Sequence, residues 1–199
     1  MNTLNDVKVP DKENIYNFLF DTTVFNRLAE HEDWLILLEK SLRLGFQYYK
    51  TVNQDYELDG RGAKTYPENI SSKKTFSKDF IEKMKQFDII KERLQIQCVS
   101  SCATLMHNHF ILDGTMRLPD DNAEETHMVK SILGFNEKLR KKHPFAQYYD
   151  MLTAEAAIVN KCVLVSDDTD LRNLVNEDFP AQAISTQELI TLIRSRIEL

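Results

Sequence analysis

The chain has 199 residues, 42% of them apolar and 28% charged, with only five glycines and five prolines. That is enough to bury a sizeable core in one domain, and it excludes a disordered or linker-rich chain. Its 31 acids against 25 bases leave a formal charge of -6, which excludes a surface coated for nucleic acid but leaves room for a local basic patch.

The first apolar run, Ile15 to Phe20, reads as a strand. Asp21 or Thr22 then caps a helical region in which Phe25, Leu28, Leu35, Leu38 and Leu42 recur at helical spacing, ended by Gly45. Phe46 to Val52 is a second strand, rich in aromatic and β-branched residues. Asn53 caps a short helix carrying Glu57; a shifted register would put Asp55 or Asp59 in its place.

After Gly60 and Gly62 the pattern loosens, and residues 76–112 hold helical patches, the clearest being FSKDFIEKMKQFDIIKERL. Leu94, Cys98, Cys102, Leu105 and His109 fit one buried helical face. The same stretch offers Cys98, Cys102, His107 and His109, but C-x3-C followed by H-x-H is not a familiar zinc spacing. A further helix runs from a cap at Asp120, Asp121 or Asn122 to Arg140, Lys141 and Lys142, whose charges complement its carboxyl end.

Pro144 separates that helix from FAQYYDMLTAEAAIVNK, whose Ala154, Ala156 and Ala157 suit close packing on a sheet. Cys162 to Val165 is a short apolar strand, buried on both faces, and Asp167, Asp168 and Asp170 crowd directly after it. AQAIS reads as a short edge strand, and Ser185 with Glu188 forms a capping box for the last helix. Strands alternating with helices give a doubly wound α/β domain with a mostly parallel sheet.

In such a sheet, strand ends and the starts of the following helices share one rim, where ligands bind. Asp21 and Asp168 follow strands, while Glu57 and Asp150 lie near helix starts, so all four are expected there. Carboxylates gathered at short range must take up protons or be neutralised by a cation, and oxygen-only ligands select Mg²⁺ or Mn²⁺. One such ion, or two roughly 4 Å apart, can activate a water and stabilise the leaving oxygen of a phosphodiester.

The blocks FLFDTTVFNRLAE, YYKTVNQDYELDG, YYDMLTAEAAIVNKCVLVSDDTDL and AQAISTQELITLI, in that order, resemble a PIN domain, a family of metal-dependent ribonucleases. The likeness covers roughly residues 15–60 and 113–195. It implies a single PIN-like domain over 1–199, three-layered α/β/α with a mostly parallel central sheet and a family-atypical helical insertion at about 61–112. It also implies that Asp21, Glu57, Asp150 and Asp168 are the acidic metal-binding and catalytic set, with Asp170 a supplementary ligand. The activity implied is endoribonucleolytic hydrolysis of RNA by a metal-activated water, with no covalent intermediate.

Two positions depart from the family's pattern. Thr23 stands where Asn or Ser is usual, and Asp167 where Asn is usual, an extra acid expected to hinder an anionic substrate. Arg140, Lys141 and Lys142 are candidate RNA phosphate contacts, and Tyr148 or Tyr149 a base-stacking platform. The resemblance admits a homodimer, and an antitoxin or another protein as partner, although the stretch between Glu57 and Asp150 is longer than in the small toxins of the family. A catalytically inactive PIN-like module binding RNA or a protein is the alternative. FDTTVF also resembles the strand-end nucleophile of haloacid dehalogenase-type phosphatases, but that family has a second Asp where this chain has Thr23. Three cysteines without a disulfide framework, no apolar signal core in MNTLNDVKVPDKEN and no bilayer-length run lead to the expectation of a cytoplasmic protein without membrane contact.

Overall fold

A computed structural model describes residues 16–51, 54, 58, 78–99, 101–102, 116–117 and 148–198. Strand β1, Tyr16–Phe20, is where the first apolar run was expected, and it pairs in parallel with β2, Phe46–Thr51. Because side chains alternate along a strand, Phe18, Phe20, Phe46 and Tyr48 share one face and Leu19 takes the other. Rings on that face meet across the pair, Tyr16 stacked on Phe46 with centroids 4.7 Å apart and Phe20 tilted against Tyr48 at 5.0 Å.

The helical region between these strands is broken in two. Helix α1, Thr22–Glu30, buries Val24, Phe25 and Leu28, and α2, Glu32–Ser41, buries Leu35, Leu38 and Ser41. His31 lies between them at φ -129° and ψ 83°, outside the helical region, with its ring stacked on Trp34 at 4.5 Å. Glu32 and Asp33 in the first turn of α2 suit a helix starting afresh there. A 3-10 turn, Leu42–Leu44, then leads to Gly45, whose φ of +86° lets the chain reverse into β2.

Helix α3, Lys78–Arg93, coincides with the clearest helical patch of the middle region. Phe87 and Ile90 turn it onto α1, and Arg93 ties it to α2 by ion pairs with Glu32 and Glu39 at 2.6 and 2.9 Å. The helical face expected to continue through Cys98 and Cys102 is not formed. Leu94 is buried, but Gln97–Val99 is strand β3, paired in parallel with β2, and Cys98 is exposed on it. Ser101–Cys102 is strand β4, paired with β5, Met116–Arg117. Pairing with β2 overrides a four-residue apolar spacing that suits a helix equally well. The expected helix ending at Arg140 to Lys142 lies outside the described residues, as do His107 and His109.

Helix α4, Tyr148–Val159, is buried continuously from Leu152 to Ile158, and Ala154, Ala156 and Ala157 bring its backbone close to the sheet. It leads into β6, Val163–Val165, which pairs in parallel with β1 and places Leu164 beside Leu19. Helix α5, Thr169–Asp178, and the edge strand β7, Ala183–Ile184, follow. The Asn176 side chain closes on β7: its Nδ2 donates to Ala183 O at 2.8 Å and its Oδ1 accepts from Ala183 N at 2.9 Å. Helix α6, Thr186–Ile197, opens with the expected capping box of Ser185 and Glu188.

The five-stranded sheet runs β3-β2-β1-β6-β7, every pair parallel. One core cluster joins α1, α2, α3 and α6 to one face, and a second joins α4 and α5 to the other, an α/β fold with helices on both sides of the sheet. From β1 the chain steps outward through β2 and β3, whereas from β6 it steps the opposite way to β7. The carboxyl ends of β1 and β6 thus form the switch point at which a parallel sheet opens its crevice.

Candidate functional site at the ends of β1 and β6

Asp21 extends β1 by one residue, its N–H bonded to Val165 O at 2.8 Å, and its side chain caps α1 by accepting from Thr22 N at 2.7 Å. The carboxylate is 3% exposed. Its second oxygen, Oδ2, accepts from Thr23 Oγ1 at 2.7 Å and from Ser166 Oγ at 2.8 Å. Burying a carboxylate is costly unless its oxygens are met by donors, and three donors meet this one.

Ser166 is fully buried at the end of β6. Its hydroxyl donates to Asp21 and accepts from Asp168 N at 3.1 Å, so a single side chain fixes the two acid-bearing turns to each other. Asp168 caps α5, its Oδ1 accepting from Leu171 N at 3.0 Å. Thr23, expected only as a departure from the family's pattern, acts similarly: its hydroxyl donates to Asp21 and accepts from Asp167 N at 3.0 Å. Gln54, also fully buried, donates to Phe20 O and accepts from Thr51 N at 2.7 Å, locking the exit of β2 onto the end of β1.

Asp167 does not add bare charge to the crevice. Its carboxylate accepts from Thr186 N at 3.1 Å and Thr186 Oγ1 at 3.0 Å, at the amino end of α6, and pairs with Arg27 Nε at 3.3 Å. The helix terminus and the guanidinium both favour the negative charge.

Of the residues singled out in the sequence, Asp21 and Asp168 are brought together on adjacent strand ends. Asp170 is exposed in the first turn of α5, on the same rim. Asp150 is half-buried in the first turn of α4, whose short link to β6 turns that helix start toward the same edge of the sheet. Glu57, Arg140, Lys141 and Lys142 lie outside the described residues. Ser166, Gln54 and Thr186 were not foreseen. Only the serine had a sequence signal, a hydroxyl set between an apolar strand and an aspartate run.

Among the described residues no group of three or more His, Cys, Asp or Glu side chains could hold a metal ion. The donors that are present suit a hard cation. Asp21 Oδ1 and Asp168 Oδ1 each accept one protein hydrogen bond, Asp168 Oδ2 accepts none among the described residues, and neither carboxylate is paired with a lysine or arginine there. Among the same residues, no helix is long and apolar enough to cross a membrane. No protein-family model matches the chain, and no curated protein matches it significantly.

Proposed function

We propose that the chain is a PIN-like, divalent-metal-dependent endoribonuclease acting in the cytoplasm, with its site at the carboxyl ends of β1 and β6. One observation carries the reading: Asp21 and Asp168, neither of them ion-paired among the described residues, stand on adjacent parallel strand ends at the sheet's switch point, joined by Ser166. In this reading Asp21 and Asp168 hold Mg²⁺ or Mn²⁺ together with Glu57 and Asp150, and Asp170 supplements them. An ion held by these residues would supply an activated water and offset charge developing on the leaving oxygen of the phosphodiester. Thr22 N, Thr23 and Ser166 keep the Asp21 carboxylate aimed, so that little reorganisation accompanies the reaction. RNA would be held from outside this pocket by cationic side chains, Arg140, Lys141 and Lys142 among them.

The test is cleavage of single-stranded RNA in Mn²⁺ by the native chain, Asp21→Asn and Asp168→Asn. We expect cleavage by the native chain and a loss of at least about a hundredfold in each variant, the scale of one lost electrostatic contact in an active site. Equal cleavage by all three would reject the assignment.

A second reading is a catalytically inactive module that binds RNA or a protein partner. It is favoured by the structural work both carboxylates already do as caps of α1 and α5. A melting scan in Mn²⁺ separates the two, since an ion that binds only the folded chain raises its melting temperature and an inactive module gains little.

A further inference from the structure

Two helix arginines answer carboxylates: Arg27 pairs with Asp167 and Arg93 with Glu32 and Glu39. Arg172 does not. Its guanidinium is held by two neutral acceptors, Ser166 O at 2.6 Å from Nη1 and Thr169 Oγ1 at 3.2 Å from Nη2, and no carboxylate lies within ion-pair distance of it among the described residues. The side chain is half-buried, yet its Nη2 bond lies at the surface. An arginine fork has five N–H donors, so most of this one remains unspent while its position is fixed.

That position is the rim of the candidate site. Arg172 sits one helical turn after Asp168, and its anchor is the carbonyl of the same Ser166 whose hydroxyl joins Asp21 to Asp168. A fixed cation with no carboxylate at ion-pair distance among the described residues, set on the rim that carries Asp21 and Asp168, provides the second half of a phosphodiester site: the acids would take the ion, and the fork phosphate oxygens. We infer that Arg172 anchors an RNA backbone phosphate next to Asp168, an assignment resting on the RNA-directed reading above. It is a positioning residue, holding the strand without exchanging a proton or forming a bond.

The experiment measures binding of a short single-stranded RNA oligonucleotide of mixed sequence by fluorescence anisotropy, with Ca²⁺ fixed and KCl varied. The native chain is compared with Arg172→Gln and Arg172→Lys. Loss of a charge-assisted contact should weaken binding by Arg172→Gln about tenfold. The slope of log K against log salt should fall in magnitude by about 0.7, the share of one phosphate on a single strand. Arg172→Lys should keep the slope, because the cation remains, and lose part of the affinity with the fork. Since Arg172→Gln also removes the donor to Ser166 O, a purely structural role would lower the melting temperature and leave the salt slope where it was.

Unchanged affinity and slope in Arg172→Gln, or no RNA binding by the native chain, overturns the inference. The two proposals fail separately. Metal-dependent cleavage with an Arg172-independent salt slope removes this anchor and leaves the nuclease, whereas an Arg172-dependent slope without cleavage removes the nuclease and leaves the anchor.

Discussion

Asp168 carries two roles that substitution can pull apart. As the cap of α5 it needs only an oxygen that accepts from Leu171 N, and asparagine provides one as well as aspartate does. As a metal-holding group it needs its charge. Without divalent ions, Asp168→Asn should therefore melt within a few tenths of a kcal/mol of the native chain, whereas Asp168→Ala should cost about 1 kcal/mol. Urea titration of both variants in EDTA reads the difference, and equal losses would mean that the carboxylate charge itself supports the fold. The aspartates themselves were legible in the sequence, because acids after an apolar strand are conspicuous. Their partners were not. The bond from Ser166 to Asp21 and the one from Asp167 N to Thr23 join distant parts of the chain, and only the pairing of β1 with β6 places those groups within reach.

Helix α6 is docked by more than its apolar face. Leu189, Ile190 and Ile193 bury it in the first core, and Asp167 receives its opening N–H and hydroxyl from Thr186 while holding Arg27 of α1. Asp167→Ala leaves the N–H and hydroxyl of the buried Thr186 without an acceptor and should cost roughly 2 kcal/mol, the scale of hydrogen bonds to a charged group. Asp167→Asn keeps an acceptor for Thr186 N and should lose less than half of that. Amide exchange at the start of α6 is the matching readout: faster exchange there in Asp167→Ala, confined to that end, is expected, and unchanged exchange would show that the apolar face alone sets the helix. At this scale β1, β2, α3, α4, β6 and α6 could be read from periodicity and capping. The break at His31 could not, because Phe25, Leu28, Leu35 and Leu38 keep a helical spacing across it and both short helices bury the same side. Strand β3 escaped because Leu94 and Cys98 are four residues apart, and its pairing with β2 is decided by distant backbone rather than local propensity.

Across the molecule, both cores enclose an acid that folding keeps neutral. Burial pushes the Cys162 thiol from its ordinary 9.0 up to about 11. In the other core, burial raises the Tyr48 phenol well above 10.0, opposed in part by its bond with Ser41. A raised value means that the folded chain holds its proton more tightly than the unfolded one, so this stability is present in full below pH 9 and falls as pH rises. For Cys162 the loss runs between pH 9.0 and about 11 and is on the order of 2–3 kcal/mol. Melting temperature against pH should show that decline, and Cys162→Ala should flatten it; parallel curves for the two proteins would remove the thiol as its cause. The layered α/β plan as a whole was visible in the alternation of strands and helices, whereas the order of the strands was not, since nothing local says that β6 returns beside β1. One flank of that sheet is finished by a single amide. In a parallel strand the outward-facing N–H and C=O belong to one residue, here Ala183, and Asn176 occupies both. A stray polypeptide arriving at β7 meets no open valence to template on, so growth of fibrils or accidental oligomers from this border is blocked by one side chain of α5, without a charge or a proline on the strand.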